Sequence, residues 1–317
     1  MNAFPKPVID AMADRAMRLH HMLWHTTRDS WADLTPEEKE VFSHHGWVPP
    51  RPSLGPTPAT GPRPVEFDNG SGEDFLYMHR EMIAEVNAIL AEVGDPQHPH
   101  VQGWVTIPAP DDPEYPVPPA YELPGSPGGT QSLLNVKSQA EYDRIHALET
   151  QVTDPAVLRQ VTLGRLGAFV EFYIHNALHM RWSAQMPEYR PDGDEFNVDP
   201  QWDDSAYNWL GDTYSSHVHP LFWKLHGWVD ARIDDWMAAN DLQGQVPWSF
   251  DPPWSGPEGH HDHGRHAVAH LALRAVPGST EADALQSRLS AMEATVEDLK
   301  RAGVREPARF PIHYGEL

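Results

Sequence analysis

Apolar and polar positions recur at helical spacing in several separate stretches, with Pro- and Gly-rich connections between them. The opening segment, roughly Val8 to Trp31, predicts a helix because Ala, Met, Leu and Arg dominate it. A second helix is expected from Pro36, with Thr35 as N-cap and Glu38 completing a capping box, stopping near Gly46. The run from Pro49 to Pro64 reads as an irregular surface connection. Another helix is expected from about Asp74 to Val93, closed by Gly94. From Pro96 to Gly129 prolines and glycines replace periodicity, so a long loop is expected, either functional or clamped against the body. Helices from about Pro155 to Arg181 and from roughly Pro220 to Asn240 come next. The last runs from Thr280 to Ala302, and its seam of Leu285, Leu289, Met292, Val296 and Leu299 should dock on the rest of the protein. The pattern predicts a mainly α protein: a helical bundle with long Pro/Gly-rich loops, a natural place for a metal site between facing helices.

Composition narrows the chemistry. The 317 residues carry 23 basic and 46 acidic side chains, a formal charge of −23, which argues against nucleic acid or an anionic membrane as partner. No stretch approaches a membrane span, and the first residues, with Pro5, Pro7, Asp10 and Asp14, do not resemble a signal peptide; a cytoplasmic location is expected. There is no cysteine, so disulfides, thiol catalysis, iron–sulfur clusters and sulfur-ligated zinc are excluded together. A metal must then be held by nitrogen or oxygen, and the 20 histidines are the obvious nitrogen source.

Histidines four apart share a helix face and can share a metal. Chance alone gives roughly 1.3 such pairs in this composition, and the chain has three: His21/His25, His175/His179 and His266/His270. The flanking residues decide between them. Neither of the first two pairs has Glu after its first His, which removes the zinc-protease reading. His20-His21-Met22-Leu23-Trp24-His25 resembles the first copper helix of arthropod hemocyanins and insect prophenoloxidases. Asp74-Phe75-Leu76-Tyr77-Met78-His79-Arg80 resembles the second, and His175-Asn176-Ala177-Leu178-His179 the third. Gly211-Asp212-Thr213-Tyr214-Ser215-Ser216, running into Pro220-Leu221-Phe222-Trp223-Lys224-Leu225-His226 with Asp230 beyond, resembles the approach to the last ligand. Tyrosinases share the second half of this pattern but not the paired ligands of the first helix. The resemblance spans about Arg18 to Trp236 of a single domain, 1–317, whose remaining part is a His-rich loop and helix from 251 on. The chain departs from the family at His219, where an acidic residue is usual.

The resemblance implies two copper ions, one on His21, His25 and His79, the other on His175, His179 and His226. Three imidazoles per metal suit copper. It implies an enzyme that uses O2 to hydroxylate a phenol or to oxidise a catechol, aminophenol or related small aromatic. The alternative is a hemocyanin-like oxygen-binding or copper-storage protein. A mononuclear zinc or iron hydrolase is disfavoured, since the histidines form two triplets without paired carboxylates. Asn176 resembles the Asn that polarises a water or orients an imidazole in tyrosinases. Ser215 stands where prophenoloxidases carry an acidic residue, and Glu171, one turn before His175, is the candidate substitute base. His20 reads as a neighbour of the site, and His44 and His45 as solvated. His260, His261, His263, His266 and His270 read as a solvated loop, with loose metal binding as the alternative. Substrate identity, oligomeric state and the need for a copper-delivery partner stay open at this point.

Overall fold

The computed structural model describes residues 4–55, 64–124, 126–191, 196–257 and 279–307. The fold is mainly α, with no strand among the described residues. None of its helices there is long and apolar enough to cross a membrane.

The expected first helix is two. Asp14 breaks it with an extended backbone (ψ 137°) and caps the second by accepting from Ala16 N, giving α1, Lys6–Ala13, and α2, Arg15–Ser30. In α3, Pro36–His44, both bonds of the Thr35/Glu38 capping box are present. Helix α4, Ser71–Val93, begins earlier than the apolar pattern suggests and ends on Gly94 in the left-handed region. Two helices went unanticipated, α5, Pro127–Val136, and α6, Gln139–Val152; each opens on a serine N-cap, Ser126 and Ser138.

The expected helix from Pro155 to Arg181 is interrupted. It comprises α7, Pro155–Leu158, then α8, Leu163–Val170, a π-helical turn at Glu171–His175, and α9, Asn176–Trp182. π-turns insert a residue into a helix and concentrate at functional sites. Helix α10, Pro220–Ala239, and α11, Thr280–Ala302, match their predicted spans closely. Met292, Val296 and Leu299 are buried, with Leu285 and Leu289 packed against the core, and the seam of α11 docks on α2 and α3.

Two glycine crossings set the spacing of the elements that carry the candidate ligands. Helix α4 meets α8 so closely that a Cβ on Gly72 would lie 2.1 Å from the Gly164 carbonyl oxygen. The 96–129 loop crosses α10 the same way: a Cβ on Gly103 would sit 2.2 Å from Gly227 C. That loop is clamped on the body. Val101, Trp104, Ile107 and Tyr121 are buried, Trp104 N donates to Lys224 O, and Ile107 N donates to Glu149. The Pro49–Pro64 connection is described only in part, and there Ser53 is buried and its N–H donates to Arg28 O.

Candidate metal centre

Four helical segments each bring one or two histidines inward. His21 and His25 lie one turn apart on α2, His79 is on α4, His175 and His179 span the π-turn and α9, and His226 is on α10. All six are buried, none more than 4% exposed. The ligand nitrogens of His21, His25 and His79 lie within 4.8 Å of one another, and so do those of His79, His175 and His226. His179 joins through His175, with Nε2 to Nε2 at 3.0 Å, and His175 Nε2 is also 3.0 Å from His226 Nε2. The structure thus brings all six together. His79, assigned to the first triplet by sequence, stands between the two and stacks on His226 at 4.4 Å.

What holds the rings says which nitrogen faces inward. His21 Nδ1 donates to Thr213 O (2.5 Å), His79 Nδ1 to Phe75 O (2.8 Å), His179 Nδ1 to Leu210 O (2.9 Å) and His226 Nδ1 to Phe222 O (2.8 Å). A carbonyl only accepts, so each of these Nδ1 atoms carries the proton. His175 Nδ1 donates to the side-chain oxygen of Asn176 (3.0 Å), and His25 Nδ1 lies 3.8 Å from an Asp29 oxygen. Burial holds all six imidazoles below their ordinary pKa, His21 at about 4 and the others well down. A neutral ring protonated at Nδ1 presents a bare lone pair at Nε2. Bare lone pairs 3.0 Å apart repel, and the buried Nε2 atoms of His21 and His79 have no hydrogen-bond partner among the described residues. A cation among them would remove both penalties. The donor set is all imidazole, which suits copper and zinc better than magnesium or calcium.

Ion pairs fix the carriers to one another. Arg80, next to His79, donates to Asp230 (2.6 Å), four residues past His226, and so ties α4 to α10. Arg28 of α2 donates to both oxygens of Glu171 (2.7 and 3.1 Å) and to Ser71 O at the start of α4. Burial pushes the Glu171 carboxyl pKa up, and the Arg28 guanidinium opposes that. With both oxygens engaged, Glu171 ties the π-turn to α2. Glu171→Ala should lower stability by about 3–5 kcal/mol, because it leaves a buried guanidinium unpaired; chemical denaturation measures this, and a change within 1 kcal/mol (roughly the surface-substitution range) would contradict it.

The remaining candidates fall away from the cluster. His20 is half-buried, its ring 5.9 Å from Trp47, His45 bonds Asp298 of α11, and His44 is exposed. Ser215 Oγ donates to Trp209 O. His219 is the N-cap of α10: its Nδ1 accepts from Leu221 N, work an aspartate would also do. His219→Ala should cost about 1 kcal/mol of stability while His219→Asp retains it, as thermal unfolding of the two variants would show. The His260–His270 tract lies outside the described residues.

Sequence reasoning missed His217. It is fully buried, with its ring 4.8 Å from His21, as close as His21 is to His25 at 4.7 Å. It belongs to no helical pair, and nothing in its spacing marks it. No protein-family model matches the chain, and no curated protein sequence does.

Proposed function

We propose that the chain is a binuclear copper oxidoreductase of the tyrosinase and phenoloxidase kind, using dioxygen to hydroxylate a phenol or to oxidise a catechol, aminophenol or related small aromatic. The observation that carries this reading is the convergence of six buried neutral imidazoles, five of them tied at Nδ1 by an oxygen acceptor. His21, His25 and His79 would hold one copper, and His175, His179 and His226 the other. Bound there, the copper pair would supply dioxygen binding and two-electron redox capacity.

The chain's own residues supply orientation and exclusion. Backbone carbonyls set the ring tautomers in advance, so little reorganisation is needed when metal binds. Phe75 and Phe222 pack on the rings, Phe222 at 3.7 Å from His226, and keep water from the inward nitrogens. Arg28–Glu171 and Arg80–Asp230 hold the helices in register. Asn176, 9% exposed, accepts from His175 and so orients it.

Asn176→Ala should therefore lower catechol oxidation and monophenol hydroxylation in equal proportion, and Asn176→Asp, which keeps an acceptor, should retain more of both. Loss of monophenol hydroxylation alone would instead make Asn176 a helper in deprotonating a phenol of pKa about 10.

One observation favours a second reading, reversible oxygen binding or copper storage. A site whose ligands are at most 4% exposed is better suited to keeping a guest than to admitting an aromatic ring. The same enclosure gives a copper-delivery partner a task. Oxygen consumption by the copper-loaded protein with catechol and 2-aminophenol separates the readings: sustained turnover supports the enzyme, and oxygen uptake without turnover the carrier.

A further inference from the structure

Both halves of the histidine cluster lean on one loop. Thr213 O accepts a hydrogen bond from His21 Nδ1, and Leu210 O, three residues earlier, accepts one from His179 Nδ1. Each of these rings belongs to a different triplet. His79 and His226 are instead held by carbonyls of their own helices, Phe75 O and Phe222 O. The loop between the two carbonyls contains Asp212, which is fully buried and heavily bonded. Its carboxylate accepts from Tyr214 N (3.0 Å), from Tyr207 OH (2.8 Å) and from Arg190 through Nε (3.2 Å) and Nη2 (2.8 Å). Arg190 is in turn gripped by Glu306, past the end of α11, at 2.6 and 2.9 Å. The Asp212 carbonyl accepts from Ser215 N and Ser216 N, which closes the turn. From the other side Arg18, three residues before His21, donates to Tyr207 O and Tyr214 O.

We propose that Asp212, held by Arg190 and Glu306, is a positioning residue that sets one ligand ring in each half of the metal centre, so that both metal positions depend on one buried carboxylate. This rests on the binuclear reading. Asp212 acts through the two carbonyls, whose placement fixes the tautomer and tilt of His21 and His179. Outer partners of this kind change metal affinity by about 10- to 100-fold when removed.

The test uses the full chain loaded anaerobically with cuprous ion, which is diamagnetic. A chelator competition reads the affinity of each metal position, and the imidazole Nδ1–H resonances in the NMR spectrum read each ring. Asp212→Asn should weaken both positions by about 10- to 100-fold. The His21 and His179 Nδ1–H signals should broaden into solvent exchange, while those of His79 and His226 persist. Glu306→Gln, which loosens Arg190 without touching the loop, should shift the same two signals by a smaller amount, and it carries the test if Asp212→Asn does not fold. Weakening of a single position, unchanged affinities, or the loss of all four signals together would overturn the proposal. Wild-type protein that binds fewer than two cuprous ions would overturn the binuclear reading itself. In that case the resonance pattern of the metal-free protein still reports whether Asp212 governs His21 and His179 alone.

Discussion

Replacing His79 by Ala is expected to empty the whole centre, whereas replacing His21 is expected to cost one copper. Resemblance to known copper helices places His79 with His21 and His25 only. The structure puts its ligand nitrogen within 4.8 Å of His21 and His25 and also of His175 and His226. It further stacks the ring on His226, with 4.4 Å between centroids. Removing the ring deprives the first position of a ligand and takes away the face on which His226 rests. His226 would then keep its bond to Phe222 O but lose one wall of its packing. Both variants should lose oxygen binding, because neither would keep two metals. Elemental analysis after gel filtration distinguishes them. A full copper retained by His79→Ala would show that His79 serves one half only.

The metal-free protein should lose stability steeply as pH falls below 6.5. The six cluster imidazoles and His217 have their folded pKa values lowered by burial, His21 to about 4 and the rest well down. The unfolded chain binds protons on these rings from its ordinary pKa of about 6.5 downward, and the folded chain does not. Between those limits the unfolded state holds more protons, so stability rises with pH and is lost as pH falls. All seven rings act in the same direction, so the loss is steep. Copper on the inward nitrogens competes with protons and should move the loss to lower pH. Urea titrations of metal-free and copper-loaded protein between pH 5 and 7.5 (roughly the window set by an ordinary His) check this. Equal pH dependence in the two forms would place the metal away from these rings.

Lys137 adds a smaller effect of the same sign at higher pH. Its Nζ donates to Arg181 O and Ser183 O at the end of α9, and burial brings its pKa down to about 7. The folded state therefore disfavours the charged form, and stability contributed above the ordinary lysine pKa is lost as pH falls toward 7.

Much of this was legible in the sequence because it is written in local patterns. The Thr35/Glu38 capping box, the Gly94 stop, the start of α10 at Pro220 and the apolar seam of α11 are all read from neighbours a few residues apart. The His21/His25 and His175/His179 spacings and the runs around His79 and His226 are local as well, and the structure gathers these six residues. What stayed hidden is contact between distant segments. Glu171 looks like a spare carboxylate one turn from His175, and only the fold puts Arg28 against both its oxygens. The Thr213 and Leu210 carbonyls have no sequence signature, since any residue supplies one. The π-turn at Glu171–His175 is equally silent: the stretch from about Pro155 to Arg181 reads as one helix. Asp14 was readable as a helix cap, but continuous Ala, Met and Arg on either side masked it.

The most direct measurement is the absorption spectrum of cuprous-loaded protein before and after air is admitted, with copper counted in the same sample. Two coppers per chain and a strong near-ultraviolet band that appears with oxygen are expected, since in the proposed centre three imidazoles per copper would leave room for oxygen. One metal per chain, zinc retained in preference to copper, or a spectrum unchanged by oxygen would contradict a binuclear copper centre.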